Sequence, residues 1–322
     1  MATILVSSPL AGDAVQGLRQ RGHEVVQGEP AEGLGHDGLI AELERHPGTE
    51  AMICLLTDRI DEQVLAAGRS LRAVANCAVG IDNLDLQALR ARGVVATNTP
   101  GVLTDATADL AFALILDACR NVTLGDRVVR AGQWRGWAPT LLLGPRVSGS
   151  VLGIVGFGRI GQAVARRARG FGMRVLYSSP RRASPELERE LGASFVSLDE
   201  LIGSSEILTL HCPLTPATRG LLSRERMLSM RKGAVVVNTA RGACVDEAAL
   251  VELLRSGHLA AAGLDVYDRE PHVSDALKSL PNVVLAPHLG SADRPTRERM
   301  AQMCIDSVLA MLEGRTPEHV VT

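Results

Sequence analysis

Aromatic residues are scarce in this sequence: its 322 residues include 2 Trp, 2 Tyr and 4 Phe, which make up 2% of the chain. Proteins that bind single-stranded nucleic acids usually stack the bases on aromatic side chains, so this scarcity argues against that function. The formal net charge of −2 provides no basic surface of the kind that binds DNA or an anionic membrane. The apolar content of 46% is carried mainly by Ala, Leu, Val and Ile, which suit helices packed closely on β-branched strands.

Long apolar runs and closely spaced cysteines are also absent. The strongest candidate for a membrane span, 110–116, lies between Asp109 and Asp117 and is far shorter than the roughly 18 to 20 residues required. Residues 1–10 lack the basic segment and the long apolar stretch of a signal peptide. The 6 cysteines are scattered without a C-x-x-C pair, which disfavours a disulfide framework or a structural zinc site. We therefore expect a soluble cytoplasmic protein with reduced thiols and no bound metal.

The length of the chain indicates about two domains, and short β-branched runs alternate with helical patterns as in βαβ units. In the first hundred residues the predicted strands are Thr3–Val6, His23–Val26, Ala51–Leu56, Leu71–Cys77 and Val94–Asn98, and the predicted helices include Ala11–Arg21, Asp61–Gly68 and Leu84–Arg92. A helix over Asp105–Cys119 comes next, with Thr104 or Asp105 as its N-terminal cap. A second helix follows over Asn121–Ala131, before a loop at 132–149. The later predictions are strands Leu152–Val155, Met173–Tyr177, Ile207–Leu210, Ala234–Asn238, Gly263–Val266 and Val283–Ala286, and helices Arg159–Arg169 and Pro295–Leu312. We predict an α/β fold of two doubly wound parallel-sheet domains, the first of the flavodoxin-like kind.

A glycine motif marks the second predicted domain. Gly156-Phe157-Gly158-Arg159-Ile160-Gly161 follows a buried strand and opens a helix, which is the context that a dinucleotide-binding G-x-G-x-x-G motif requires. Gly156 would permit the tight turn, Gly158 would let the backbone approach a pyrophosphate, and Gly161 would let helix and strand pack closely. The alternative is a glycine-rich turn without a ligand. The context favours a Rossmann dinucleotide-binding domain.

The end of the next predicted strand bears on the choice between NADP and NAD. An acidic residue usually lies there in NAD-binding proteins and accepts a hydrogen bond from the ribose 2′-OH. Here the strand end has no carboxylate, and Arg181 and Arg182 follow it directly. A guanidinium group matches a 2′-phosphate well, although both arginines could also be solvated loop charges. We favour NADP(H), with NAD(H) as the alternative.

Three polar residues follow later predicted strands: Arg241, Glu270 and His288. Each lies at or beyond the carboxyl end of a strand, where open α/β sheets bind their ligands. Singly, each would more often belong to a surface ion pair or a structural contact. Together, and behind a dinucleotide motif, they indicate a catalytic set.

With these motifs in order, the sequence resembles the D-isomer-specific 2-hydroxyacid dehydrogenase family over essentially its whole length. The resemblance rests on segments 78–83, 156–161 and 211–215 and on those around Arg241, Glu270 and His288. Segments 97–100, 103–109 and 136–139 are most similar to the glyoxylate/hydroxypyruvate reductase branch. The family implies a discontinuous substrate-binding domain of residues 1–98 and 290–322. It also implies a dinucleotide-binding domain of residues 99–289, which includes dimerisation helices and loop 104–149, and a cleft between the two domains.

The resemblance implies reduction of a small 2-oxo acid to a 2-hydroxy acid. His288 would be the general acid/base, since imidazole ordinarily titrates near neutrality. Glu270 would hydrogen-bond its other ring nitrogen, and Arg241 would bind the substrate carboxylate and polarise the carbonyl. Backbone N–H groups at Val79 and Gly80 would complete the carboxylate site.

Further contacts follow from the resemblance. Asn76 and Ser291 border the implied substrate pocket. Trp137 would close that pocket from the partner subunit of a homodimer, or would only anchor the dimer interface. Asp265 would lie near the nicotinamide, or would cap a strand end. The implied cofactor contacts are Thr104, Gly156, Gly158, Arg159, Ile160, Ser179, Arg181, Arg182, His211, Cys212, Pro213, Thr218, Thr239, Ala240, Asp265, His288 and Gly290.

Several related functions are also compatible with the sequence or have to be weighed against it. Formate dehydrogenases carry Gln where Glu270 stands, and phosphite dehydrogenases carry Lys where Val79 stands, so both fit poorly. Phosphoglycerate dehydrogenases are a further alternative, but they often append a regulatory domain, which we do not expect in this chain. A 2-ketogluconate-type substrate is an alternative, because pocket depth does not follow from sequence. A non-catalytic dinucleotide sensor, like the co-repressors on this fold, is the alternative outside the enzymes.

Overall fold

The computed structural model describes residues 1–29 and 31–322. The chain divides into two compact units. The first unit comprises Met1–Leu103 and Ser291–Thr322, and the second unit comprises Thr104–Gly290. The first unit is therefore discontinuous in sequence, while the second is a single insertion.

The first unit contains a five-stranded parallel sheet. Its N-terminal elements are β1 (Thr3–Val6), α1 (Ala14–Gln20), β2 (Glu24–Gln27), α2 (Gly35–Arg45), β3 (Thr49–Cys54), α3 (Glu62–Ala67), β4 (Ala73–Asn76), α4 (Leu86–Ala91) and β5 (Val95–Thr97). The strand order β2-β1-β3-β4-β5 is the flavodoxin-like order. Consecutive residues of β1 enter cores on opposite faces of the sheet, Leu5 on one face and Ile4 and Val6 on the other. Both faces are therefore covered, as in a doubly wound fold.

The second unit contains a seven-stranded parallel sheet. Its elements are α5 (Thr104–Arg120), α6 (Val122–Arg130), β6 (Val151–Val155), α7 (Arg159–Gly170), β7 (Arg174–Ser178), α8 (Pro185–Leu191), β8 (Ala193–Phe195), α9 (Leu198–Ser204), β9 (Ile207–Leu210), α10 (Arg224–Ser229), β10 (Ala234–Asn238), α11 (Glu247–Arg255), β11 (Leu259–Leu264), α12 (Asp275–Lys278) and β12 (Val283–Leu285). The order β12-β11-β10-β9-β6-β7-β8 is that of a Rossmann sheet with one added strand. The order reverses between β6 and β9, where such sheets bind dinucleotides.

The last helix, α13 (Arg294–Leu312), returns to the first unit. Its residues Cys304, Val308 and Met311 are buried in the same core as Ile4 and Val6. Asp293 caps the helix by accepting the N–H of Thr296, which satisfies one of the free amides of the first turn. The predicted helix Pro295–Leu312 is confirmed, and it begins one residue earlier.

Most predicted elements differ from the structure by a few residues at their ends, and two of the differences have a structural reason. Strand β11 begins and ends earlier than the predicted Gly263–Val266, because the small residues before Gly263 lie in the strand and let α5 pack against it. A Cβ atom on Gly263 would lie 2.9 Å from Leu114 Cβ. Helix α5 begins at Thr104, so Thr104 and Asp105 lie inside its first turn and the predicted cap is wrong.

Among residues 1–29 and 31–322, no helix is long and apolar enough to cross a membrane.

Candidate active site

The glycine loop between β6 and α7 has little room for side chains at two of its three glycines. Gly156 has a φ of 88°, and a Cβ atom there would lie 2.8 Å from the backbone nitrogen of Cys212. A Cβ atom on Gly161 would overlap the carbonyl oxygen of Gly156. At Gly158, which caps α7, a Cβ atom would meet nothing within 4 Å. The loop is thus tightly folded on the protein side and open at the position where a pyrophosphate would approach.

The segment after β9 packs against this loop. His211 donates its backbone N–H to Val155 O, and its ring nitrogens lie 2.9 Å from Thr209 Oγ1 and 3.2 Å from Thr239 Oγ1. Burial lowers the pKa of His211 to about 3, so its imidazole is neutral. Thr218 donates its hydroxyl to Pro213 O at 2.6 Å and fixes the turn between these two residues. The structure therefore brings the predicted contacts 211–213 and Thr239 together beside the glycine loop.

A carboxylate stands near the end of β7, although none occurs in the strand itself. Arg182 donates from Nε and Nη2 to both carboxylate oxygens of Glu188, each at 2.9 Å. Tyr177 donates its hydroxyl to the same carboxylate at 2.6 Å. Glu188 belongs to helix α8 and was not among the predicted site residues. Arg181 is exposed and has no side-chain partner within the described part of the chain.

The predicted acid/base pair is formed within the second unit. His288 Nδ1 lies 2.7 Å from Glu270 Oε2, and each side chain is 27% exposed. The other oxygen, Glu270 Oε1, accepts the backbone N–H of Tyr267 at 3.0 Å. Burial raises the pKa of Glu270, but the hydrogen bond and charge of His288 outweigh burial, so the pKa lies below its ordinary value. The carboxylate is thus ionised and directed at the imidazole, and Nε2 is left as the ring atom for chemistry.

Asp265 organises the turn that carries His288. Its carboxylate accepts the backbone N–H of Leu289 at 2.6 Å and of Gly290 at 2.9 Å, and its carbonyl oxygen accepts that of His288 at 3.0 Å. His288 has a φ of 54°, a backbone conformation that residues other than glycine seldom adopt without such support. Of the two alternatives for Asp265, these contacts favour the structural cap. Gly290 is also fixed by Thr107, whose hydroxyl donates to its carbonyl oxygen.

Arg241 lies in a turn held by a buried amide. Asn238, the last residue of β10, donates from Nδ2 to Arg241 O at 2.9 Å and accepts the N–H of Ala240 at 2.9 Å. The next residue, Gly242, packs so closely on the backbone of Tyr267 that a Cβ atom would overlap it. The turn after β10 and the turn after β11 are therefore fitted to each other. This brings the charge of Arg241 close enough to lower the pKa of Glu270 further.

In the first unit, the turn after β4 presents backbone amides. Asn76 is fully buried and donates to Gly80 O at 2.9 Å, while Asn98 donates to Val79 O at 2.8 Å. The N–H groups of Val79 and Gly80 have no acceptor among the described residues. With their carbonyl groups fixed and their N–H groups free, they can bind an anion. Asn76 shapes this turn by its own hydrogen bonds.

The remaining predicted contacts are spread over both units. Thr104 begins α5, Arg159 and Ile160 begin α7, and Ser179 follows β7. Ser291 is the first residue of the returning segment. Trp137 is 82% exposed, in the irregular connection between α6 and β6. Across the described ranges, no three His, Cys, Asp or Glu side chains are grouped to hold a metal ion.

Comparison with known proteins identifies the family. The model of the D-isomer specific 2-hydroxyacid dehydrogenase NAD binding domain matches residues 112–290. A glyoxylate reductase from Thermococcus onnurineus is 44% identical over 322 residues, covering 99% of this chain and 95% of the relative. The chain belongs to the D-isomer-specific 2-hydroxyacid dehydrogenase family. It is accordingly an NAD(P)-dependent dehydrogenase, and the predicted resemblance is confirmed.

Solved structures agree with this assignment. A protein from Thermus thermophilus is 47% identical with a TM-score of 0.91, covering 99% of this chain and 100% of that chain. An NADPH-dependent glyoxylate/hydroxypyruvate reductase from Sinorhizobium meliloti, solved with NADP and malonate, is 31% identical with a TM-score of 0.87. It covers 100% of this chain and 97% of its own. The predicted fold of two parallel-sheet α/β domains, one of them a Rossmann domain, is confirmed.

Proposed function

We propose that this dehydrogenase reduces small 2-oxo acids, glyoxylate and hydroxypyruvate first among them, to 2-hydroxy acids. The observation that carries the proposal is the His288–Glu270 pair at 2.7 Å, in the same unit as the dinucleotide motif. The names of the relatives support the substrate class. The open position at Gly158 and the crowded positions at Gly156 and Gly161 fit a dinucleotide pyrophosphate.

The chemistry requires a hydride at the carbonyl carbon and a proton at the carbonyl oxygen. A bound nicotinamide supplies the hydride. His288 donates the proton from Nε2 as negative charge develops on the oxygen, because Glu270 holds Nδ1 and stabilises the protonated ring. In the reverse direction the same nitrogen accepts the proton. Asp265 keeps the turn of His288 in place.

Arg241 and the turn after β4 are proposed to hold the substrate. The guanidinium group of Arg241 would bind the carboxylate and polarise the carbonyl oxygen. The free N–H groups of Val79 and Gly80 would bind the carboxylate, and Asn76 would shape that turn. Ser291 is proposed as a further substrate contact. A monoanionic 2-oxo acid suits this set, since Val79 brings no second cation for a dianion.

The cofactor is proposed to be NADP(H) in preference to NAD(H). Two positive charges follow β7, and the first of them, Arg181, is exposed. Among the relatives, the Sinorhizobium meliloti enzyme is NADPH-dependent. The backbone of the glycine loop, with residues 211–213, Thr218, Thr239 and Ala240, would hold the remainder of the dinucleotide.

We further propose a cytoplasmic homodimer formed through α6 and the connection that follows it. Helix α6 buries none of its side chains in the single chain, and Val122 and Val129 are 60% and 58% exposed. Trp134, Trp137 and Leu143 are exposed in the following connection. Such an apolar surface is typical of an interface. Trp137 would either reach the partner's pocket or anchor the interface.

The decisive experiment is a steady-state panel of glyoxylate, hydroxypyruvate, pyruvate, 2-ketogluconate, 3-phosphohydroxypyruvate and longer 2-oxo acids, each with NADPH and with NADH. We expect the highest kcat/KM with glyoxylate or hydroxypyruvate. A clear preference for a larger substrate would move the assignment to another dehydrogenase of the family. A separate assay tests phosphite as the substrate with NADP⁺ as the oxidant, because a phosphite dehydrogenase is one of the alternatives. Tight cofactor binding without turnover of any substrate would favour the dinucleotide sensor instead.

A further inference from the structure

Two arginines follow β7, but only one of them has an uncompensated charge. Arg182 forms a two-point ion pair with Glu188, whereas Arg181 has no side-chain partner in the described ranges. We propose that Glu188 limits the preference for NADP(H) by neutralising Arg182, so that Arg181 alone supplies the net charge for a 2′-phosphate. This inference rests on the proposed cofactor site and identifies the residue that sets its selectivity.

The position of the pair follows from the sheet. Strand β7 lies beside β6, and the N–H of Gly156 donates to Ser178 O at 2.9 Å, so the end of β7 is fixed to the glycine loop. In Rossmann sheets the residues after this second strand meet the ribose 2′ group of the dinucleotide. Arg181, Arg182 and their neighbours therefore stand where NAD and NADP differ.

Glu188 is built into this region. Its side chain is 11% exposed, compared with 62% for Arg182. The hydroxyl of Tyr177 donates to Glu188 and accepts the N–H of Ala183, which joins the strand, the loop and helix α8. The ring of Tyr177 stacks on Phe157 of the glycine motif, with ring centroids 3.8 Å apart. The hydroxyl of Tyr177 and the guanidinium group of Arg182 thus both bind the Glu188 carboxylate, which in turn fixes the position of Arg182.

The charge of the pair is fixed over the whole working range of pH. The Arg182 guanidinium and then the Tyr177 hydroxyl lower the pKa of Glu188 to about 2. Both partners stay charged, and their sum is zero. The hydrogen bonds to Glu188 occupy Nε and Nη2 of Arg182, the edge that would otherwise grip a phosphate in a two-point contact.

The test measures binding of two cofactor fragments, 2′,5′-ADP and 5′-AMP, which differ only in the 2′-phosphate. The selectivity ratio is the Kd for 5′-AMP divided by the Kd for 2′,5′-ADP, obtained by titration calorimetry at fixed low salt. In Glu188→Gln, Arg182 gains an uncompensated charge, so we expect the ratio to rise roughly threefold to tenfold. Glutamine can still accept the Tyr177 hydrogen bond. Glu186→Gln makes the same charge change on the exposed side of α8, where Glu186 pairs with Arg189, and should alter the ratio less than about twofold.

Two further variants separate this inference from direct phosphate binding by Arg182. Arg182→Gln should lower the ratio, because Glu188 becomes an uncompensated negative charge. The double variant Arg182→Gln/Glu188→Gln should return the ratio to within about twofold of the wild type. If the double variant stays as low as Arg182→Gln, or if Glu188→Gln leaves the ratio unchanged or lowers it, the inference is wrong. Arg181→Gln should reduce the ratio at least about tenfold.

The binding measurement is independent of catalysis. A protein that shows these fragment affinities but reduces no 2-oxo acid would refute the proposed substrate class and support the role of Glu188. If the protein reduces glyoxylate but Glu188→Gln leaves the selectivity ratio unchanged, the proposed substrate class is supported and the role of Glu188 is refuted.

Discussion

Glu270 holds His288 through one carboxylate oxygen while the backbone of Tyr267 holds the other. The distances are 2.7 Å from Oε2 to His288 Nδ1 and 3.0 Å from Tyr267 N to Oε1. The carboxylate therefore cannot rotate away from the imidazole without giving up a hydrogen bond to the main chain. This arrangement fixes which ring nitrogen of His288 is available for proton transfer.

Replacing His288 tests the proton donor directly. His288→Gln should lower kcat for reduction of glyoxylate by roughly 10² to 10⁴, because no other group is proposed to protonate the carbonyl oxygen. Calorimetry should show NADPH affinity within a few-fold of the wild type. His46→Gln, in the first unit, is the matched control and should keep full turnover. Retained turnover in His288→Gln would remove this residue from the role of acid.

Replacing Glu270 tests the pH dependence. Reduction requires a proton on His288 Nε2, so the rate should fall as the pH rises. Glu270→Gln removes the negative charge beside Nδ1, which stabilises the protonated ring. The falling limb of the kcat/KM profile should therefore move to lower pH. An unmoved profile with a uniformly lower rate would mean that Glu270 only orients the ring.

Two glycines of the motif, Gly158 and Gly161, should respond differently to alanine. Gly158→Ala meets no atom within 4 Å, so its free energy of unfolding should change by about 1 kcal/mol or less. Its affinity for NADPH should fall at least about tenfold if the pyrophosphate approaches there. Gly161→Ala would overlap a carbonyl oxygen and should cost about 3 kcal/mol of stability. Urea denaturation and calorimetry separate the two effects. Equal affinity of Gly158→Ala and the wild type for NADPH would argue against this binding site.

Asp265→Asn should act through the turn rather than through the chemistry. One of the two carboxylate oxygens becomes an amide group that cannot accept a backbone N–H, at a cost of about 1 to 3 kcal/mol of stability. We expect a lower kcat and a smaller move of the pH profile to lower pH than in Glu270→Gln, since the charge of Asp265 also acts on His288 but the contact between Glu270 and His288 is retained. A move as large as that of Glu270→Gln would indicate that Asp265 acts mainly through its charge.

The Arg182–Glu188 pair predicts a pH-dependent contribution to stability. The folded-state pKa of Glu188, about 2, lies below the ordinary value of 4.5. The pair therefore stabilises the fold above about pH 4.5, and this stabilisation is lost as the pH falls toward 2. The difference in Tm between the wild type and Glu188→Gln should be present at pH 7 and should shrink below pH 4.5. A difference that is constant from pH 7 to 3 would contradict the ion pair.

Patterns within single elements allow much of the fold to be predicted. Strands β9 and β10 match their predictions residue for residue, because runs such as Ala234–Asn238 are buried on both faces and rich in Val. The prediction for strand β11 is misplaced because its alanine run is compatible with either a strand or a helix. Only the packing of this segment against α5 shows that it is a strand. The short edge strand β8 and the helices α2 and α8 to α12 were not among the predicted elements. Apart from α2, each of these has at most 9 residues, which is too few for a periodic pattern to be recognised.

The site residues that were missed are those that act across elements. The sequence pattern places Arg181 and Arg182 after a strand, but Glu188 reaches Arg182 from the following helix. Only the fold shows that one arginine is neutralised. Asn238 lies three residues before Arg241, and its role depends on the turn that its amide closes. Motifs therefore locate the groups that react, whereas the groups that position them require three-dimensional contacts.

The exposed connection after α6 has a spectroscopic consequence. Trp134 and Trp137 are the 2 tryptophans of the chain, and they are 56% and 82% exposed. Tryptophan emission therefore reports on this one segment, while the tyrosines in the Rossmann core, Tyr177 and Tyr267, are buried. Melting of either sheet would barely change the indole signal of an isolated chain. Burial of the same segment against a second copy would shift the emission to shorter wavelength, so dilution followed by fluorescence measures assembly without an added label.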